Sequence, residues 1–345
     1  MRWFGIIVLL VGCGRIGFGG EELAGDDAAG PQPAMCGARR VASLPLSEPV
    51  RRVRAATVPG LGYAVALETA ATIHVVRLDA GKGFVSFHSP FASDYLLHGV
   101  GALDQVVFIS TDLTTEPAGY LKRLDPSWDT YGSPVSGGTA IYDPPLAGSA
   151  GTAWTGARAG EVIFIEEIDR DGARTGLSSD YLPETAFHAS FSPSGDDVRA
   201  VVDRGDGTCE AFLIAPDGAT RDRRRLDACM EPRGVGLPDG SAAIIARVPS
   251  VSDTYELRWI PPDGAGAALS LALGRHPEVR IAPFDDGRVL AAVTATTGGL
   301  ALLAYGPEGT VDGSFSEGRE PFDLLADALF WIVGSDLHVA EPCLR

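Results

Sequence analysis

The sequence predicts an all-β chain of repeated small sheets, and three observations carry that prediction. A polar turn recurs along the 345 residues at Asp79, Asp125, Asp169, Asp217, Asp263 and Glu308, at spacings of 46, 44, 48, 46 and 45. Between the turns lie short apolar runs bounded by Gly, Asp or Pro, among them GYAVAL (62–67), QVVFIS (105–110) and DVRAVV (197–202). No stretch of ten or more residues combines a helical apolar period with capping residues. A constant interval in the range of roughly 20–50 residues signals a repeat architecture. Four short strands per interval without helices is the texture of a β-propeller blade. A two-sheet sandwich could use such strands, but nothing in it demands a constant interval.

The chain begins with MRWFGIIVLLVGC, one positive charge at Arg2 followed by an apolar run from Trp3 to Val11. That run is far shorter than the roughly 20 residues a membrane-crossing helix needs, and it reads as the core of a secretory signal over 1–12. LVGC (10–13) resembles the lipobox of bacterial lipoproteins. The resemblance implies that Cys13 is lipidated and becomes the new N-terminus, with several acyl chains giving a stable membrane anchor. An ordinary cleaved signal or a short buried strand is the alternative. Gly14 stands where lipoproteins retained at the inner membrane tend to have Asp, so the resemblance points to the outer membrane, with the folded part in the periplasm or at the cell surface. Residues 13–35 are rich in Gly, Ala and acids without an apolar period, as expected of a flexible acidic tether.

The propeller is expected over 36–345. Each unit places its second strand in a run such as SAAIIA (241–246), RVLAAV (288–293) or ALFWIV (328–333), with a further run leading to the counted turn, as in TCEAFLIA (208–215) and TYELRWI (254–260). Six turns are followed by a seventh unit beginning near Pro321, which ends after three strands. RRVASLPL (39–46) is the available fourth, so the prediction is a seven-bladed propeller whose last blade is closed by an N-terminal strand.

With Cys13 given to lipid, four cysteines remain in an exported, oxidising setting. Of three connectivities one suits the ring: Cys36, just before the N-terminal strand, with Cys343, just after the last. The other pair, Cys209 and Cys229, flanks the APDG turn. A symmetric hairpin about that turn puts residue 226 opposite Cys209, so this bond requires a bulge. FSPSGDDVRAVV (191–202), GLPDGSAAIIA (236–246) and, more loosely, IAPFDDGRVLAAV (281–293) resemble the F-S-P-D-G-x-x-apolar-A-apolar repeat of TolB-like propellers. The resemblance covers three of the seven units and implies a fold. No residue matches a contact motif that would carry over a partner.

Composition narrows the function. The apolar fraction is 45% and the formal net charge −17, and 26 of the 28 basic residues are Arg. This acidity argues against nucleic acid, which requires a basic surface. The hydrolase pentapeptide G-x-S-x-G is absent, as are sialidase-type S-x-D-x-G-x-T-W boxes, and the four Trp beyond the leader show no blade-by-blade motif. The six His never stand at H-x-H or H-x3-H spacing, so neither a metal nor a cofactor is expected. DRGDGT (203–208) and DRDGA (169–173) echo calcium loops but lack the twelfth-position acid, and read as Asp-Gly turns. RDRRR (221–225) reads as a solvated, charge-protected outer strand rather than an anion patch.

One alignment suggests a ligand. The expected starts of the seven innermost strands fall on Arg54, His98, Thr139, His188, Arg233, Arg280 and Asp323, at intervals of 44, 41, 49, 45, 47 and 43. Five of these seven are Arg or His. Together they would form a positive rim for a carboxylate, a phosphate or an acidic peptide. The alternative is a set of unrelated surface charges. The reading overall is a membrane-anchored, non-catalytic binding module for a protein or small anionic ligand. A hydrolase or lyase with residues scattered at the channel mouth, or a structural spacer, stands beside it.

Overall fold

The computed structural model describes residues 35–91, 95–113, 119–124, 146–147, 152–159, 162–171, 174–177, 188–194, 197–215, 217–237, 239–249, 254–261, 269–275, 278–284, 287–294, 299–306 and 309–343. No helix occurs among them; every regular element is a strand. The first strand, β1 (Met35–Ser43), is followed by a four-stranded sheet of β2 (Arg52–Val58), β3 (Gly62–Glu68), β4 (Ile73–Leu78) and β5 (Phe84–Phe91). Three strands come next, β6 (Tyr95–Leu103), β7 (Val106–Leu113) and β8 (Gly119–Leu124). A second four-stranded sheet holds β9 (Leu146–Ala147), β10 (Thr152–Ala159), β11 (Val162–Asp169) and β12 (Arg174–Leu177). Then come β13 (His188–Ser194), β14 (Asp197–Asp203), β15 (Cys209–Ile214) and β16 (Thr220–Leu226). The next sheet has β17 (Met230–Gly236), β18 (Ala242–Arg247), β19 (Thr254–Ile260) and β20 (Leu269–Arg275). It is followed by β21 (Val279–Pro283), β22 (Val289–Thr294), β23 (Leu300–Gly306) and β24 (Gly309–Phe315). Finally β25 (Phe322–Leu324), β26 (Leu329–Val333) and β27 (Asp336–Pro342) are completed by β1, which pairs antiparallel with β27.

Each sheet is an antiparallel meander, so its order in space is its order in sequence, the β1 strand excepted. The first strands touch in succession: β2 against β6, β6 against β9, β9 against β13, β13 against β17, β17 against β21, β21 against β25, and β25 against β2.

The apolar runs are continuous because both faces of a sheet are covered. Every residue of β3 is buried, yet its neighbours alternate. Val65 and Leu67 join a core with Phe330, Ile332, Leu337 and Val339 of the last sheet, while Ala64 and Ala66 join Leu97, Val107 and Ile109 of the next. Successive side chains of a strand point to opposite faces, so one run of apolar residues feeds two inter-sheet cores. The same division recurs between the β17–β20 and β21–β24 sheets, where Ile245, Leu257 and Trp259 meet Val289, Ala291 and Tyr305.

The repeated Asp-Gly turn has a defined cause. Gly218 donates to Ala215 O at 2.8 Å and Gly240 to Leu237 O at 3.0 Å, closing two tight turns with glycine at φ 81° and 82°. A side chain at that φ would be strained. The Asp before each glycine then accepts the following amide, Ala219 N on Asp217 Oδ1 at 3.0 Å and Ser241 N on Asp239 Oδ1 at 2.9 Å.

Both disulfides are present, with two departures from the sequence reading. Cys36 bonds Cys343 with their Cα atoms 5.8 Å apart. Cys36 lies inside β1, opposite Glu341, rather than ahead of the strand, because β1 begins at Met35 and pairs along most of β27. Cys209 is opposite Leu226, as a symmetric hairpin requires, and the strand shift between Ala211 and Leu213 does not bring Cys229 level with it. The chain instead leaves β16, turns through Ala228 at φ 50°, and returns Cys229 to Cys209, where its amide donates to Gly207 O at 2.9 Å.

Polar contacts reinforce the seam between first and last sheets. Lys82 Nζ lies 3.0 Å from Glu341 Oε1 and over the Tyr63 ring, Arg39 donates to Gly81 O at 2.7 Å, and the Tyr63 hydroxyl donates to Asp327. Ser43 Oγ donates to Asp336 Oδ1 at 2.5 Å, and this bond, with Arg40 nearby, holds the Asp336 carboxyl below its usual range. A disulfide closing so much chain restricts the unfolded state. Replacing Cys36 and Cys343 together by Ser is expected to lower unfolding free energy by ~2–4 kcal/mol. Urea unfolding checks this, and coincident midpoints for the two proteins would refute it.

Candidate functional site

The inner strands of adjacent sheets touch without pairing, so their facing amides and carbonyls need side-chain partners. Polar residues of one inner strand, or of the strand beside it, reach to the inner strand of the next sheet. Arg54 Nε donates to His98 O at 2.9 Å, and Arg52 to Leu97 O at 3.3 Å. The Leu97 amide donates to Glu68 Oε2 at 2.7 Å. Farther along, Ser190 Oγ accepts the Gly234 amide at 2.7 Å, Asp203 accepts that of Glu231 at 2.9 Å, and Arg233 donates to Val279 O at 3.2 Å. Arg280 Nε lies 3.1 Å from Asp323 Oδ1, an ion pair without hydrogen-bond alignment, and Asp323 Oδ2 accepts the Ala55 amide at 2.7 Å.

At one place these links merge into a cluster. Glu278, just before β21, accepts from Arg280 and lies 3.5 Å from Arg54. Arg54 therefore reaches from β2 past the sheet of β25 to the start of β21. The side chains of Arg280 and Asp323 are 8% and 11% exposed and that of Arg54 14%, so the cluster is largely removed from water. Arg233 stands close enough for its charge to act on Arg54. Two guanidinium groups, of Arg54 and Arg280, thus lie against the carboxylates of Glu278 and Asp323.

Burial, then repulsion from Arg280 and from Arg233, drives the pKa of Arg54 down to about 9, with Asp323 and Glu278 pulling the other way. Burial pushes the Asp323 carboxyl above its ordinary range, opposed by Arg280, Arg54 and the Ala55 amide. A further negative group beside Arg54 would raise its pKa again.

The structure brings together Arg54, Arg233 and Arg280 from the predicted rim, and adds Asp323, which the alignment had set apart as the odd member. His98 contributes its backbone carbonyl to Arg54, His188 opens β13 with a side chain outside the described residues, and Thr139 also lies outside them. Glu278, Glu68 and Ser190 were missed because the alignment sampled one residue per repeat. An acid two residues before Arg280 was the available signal. The RDRRR segment is the fourth strand of its sheet, paired outward: Arg221 with Asp197, Arg223 with Glu210 at 3.3 Å, and Arg225 with Asp227 at 3.4 Å. In DRGDGT, Asp203 and Asp206 accept the amides of Gly205 and Thr208 at 2.8 and 3.0 Å, which makes them turn residues. Among the described residues no three His, Cys, Asp or Glu come together as metal ligands.

These features define a β-propeller, and solved structures agree. A chain of the Kuenenia stuttgartiensis hydrazine synthase is similar with a TM-score of 0.66 at 13% identity, covering 87% of this chain and 97% of that one. BBS1N, solved in complex with ARL6DN, gives 0.56 at 13% identity over 90% and 98%. The Dos1 propeller gives 0.52 at 8% identity over 90% and 94%. At such identities the likeness is one of fold. No protein-family model matches the chain, and no curated protein does.

Because Arg54 has a lower pKa folded than unfolded, the folded state releases this proton first, and its contribution to stability rises as pH climbs above about 9. Carbon-13 NMR of arginine Cζ is expected to show one guanidinium titrating near pH 9 that disappears in Arg54→Gln and moves lower in Asp323→Asn. A spectrum with every arginine protonated at pH 11 would contradict the cluster's charge balance.

Proposed function

We propose that this chain is an exported lipoprotein whose propeller is a non-catalytic binding module, engaging an anionic group of its partner at the rim where the inner strands begin. The convergence of Arg54 and Arg280 on Glu278, with Arg233 near enough for its charge to act on Arg54, carries the reading. A cluster of guanidinium groups in which Arg54 and Arg280 are largely buried favours a carboxylate or phosphate from outside. In a chain of net charge −17 it is also a local exception that gives an anionic partner its orientation. The partner is a protein or small molecule presenting such a group. The similar BBS1N was solved with ARL6DN bound, which is compatible with a protein partner here.

In this reading the ring has seven blades and is closed by β1. Seven sheets, contact between β25 and β2, and pairing of β1 with β27 support that count. The FSPSG and LPDGS repeats support a TolB-like ancestry. Residues 1–12 act as a signal, Cys13 carries the lipid, and 13–35 form a tether to the propeller at 36–345, readings supported by LVGC and by the composition of the leader. Two disulfides support an oxidising compartment, and Gly14 supports the outer membrane over the inner one.

Two experiments test the proposal. Calorimetric titration of the full chain with a poly-glutamate peptide at low ionic strength is expected to show binding that Arg233→Glu, an exposed reversal, weakens by about tenfold or more. Equal affinity for both proteins would remove the rim from consideration. Cys13→Ala is expected to abolish labelling by radioactive palmitate and to shift the protein from the detergent phase to the aqueous phase.

A further inference from the structure

β1 closes the last sheet as an edge strand, pairing with β27 on one side only. Its ladder is broken twice, between Cys36 and Arg39 and between Arg40 and Ala42, which leaves three pieces of two pairs each. β2, by contrast, pairs with β3 in unbroken register over all seven of its residues. Of the nine residues of β1 only Met35 is buried, in a core it shares with Leu290, Phe322 and Trp331. The far end of the strand is fastened by the Ser43 hydroxyl on Asp336 and by the Leu44 amide on Ser335 O at 2.8 Å. Ahead of the first break, Met35 and Cys36 have two pairings, the burial of Met35 and the bond to Cys343.

The two disulfides differ in access. Cys209 and Cys229 are both 0% exposed, whereas Cys36 is exposed and Cys343 half-buried. Exchange requires a thiolate to reach a sulfur, so its rate follows access. We propose that Cys36–Cys343 is a redox latch: a dithiol opens it in the folded protein, and residues 35–41 then leave β27, while Cys209–Cys229 stays closed. A thiolate of the dithiol attacks Cys36 Sγ and expels Cys343 as a thiolate, which takes up a proton. The second thiol displaces Cys36, so the dithiol ends as a disulfide and the protein as two thiols, having gained two electrons and two protons. Ser43 and Leu44 stay fastened, which keeps the freed segment beside its partner and makes the step reversible. The release uncovers the edge of β27 from His338 to Pro342, whose unpaired amides and carbonyls can take another strand. The latch stands apart from the arginine rim.

The test treats the full oxidised chain with dithiothreitol in the absence of denaturant and traps free thiols with iodoacetamide for mass spectrometry. Cys36 and Cys343 are expected to be alkylated at least about tenfold faster than Cys209 and Cys229. In the reduced protein, hydrogen exchange of the paired amides in residues 35–41 and 338–342 is expected to quicken by about tenfold or more. Exchange in β14 and β15 is expected to stay unchanged, and oxidised glutathione to restore the original rates. Cys36→Ser combined with Cys343→Ser is expected to show the fast exchange without dithiothreitol; where that variant does not fold, the wild-type measurements decide alone. Equal alkylation rates for the two pairs would overturn the proposal, as would opening of Cys36–Cys343 that leaves the exchange of residues 35–41 unchanged.

Discussion

Each sheet has two apolar faces to bury, and it buries them against two different neighbours. That constraint sets the rest of the structure. A strand such as β3 must be apolar through its middle, since Val65 and Leu67 serve one core and Ala64 and Ala66 the other. Polar residues are pushed to the turns, the outermost strands and the ends of the inner strands. The repeat period follows, because each unit has the same two obligations to meet.

The inner strands bring a second obligation. They approach closely but form no ladder with one another, so side chains of one unit satisfy the backbone of the next. Arginine suits this role, since a guanidinium can serve a carbonyl and a carboxylate together. Arg54 does so, bonding His98 O and Val53 O while lying beside Glu278. The same residues that join units therefore gather charge around Arg54, and the electrostatics of the candidate site is a by-product of how the sheets are joined.

The architecture was legible because it is periodic. Runs such as TYELRWI coincide with β19, and DVRAVV lies within β14. The turn residues were readable too, since Asp and Gly are required there by local backbone geometry. What escaped detection depends on contacts across the fold. Glu278 becomes meaningful only when Arg54, 224 residues earlier in the chain, is seen beside it. The position of Cys229 depended on a left-handed residue at Ala228, a position without Gly or Asn to announce it.

The bond between Cys36 and Cys343 spans 307 residues, nearly the whole described chain. Covalently, the segment from Cys36 to Cys343 is a closed macrocycle. A mechanical load applied to both termini passes through sulfur from one tail to the other. It bypasses the β1–β27 ladder, so the strands cannot be peeled away one after another from either end.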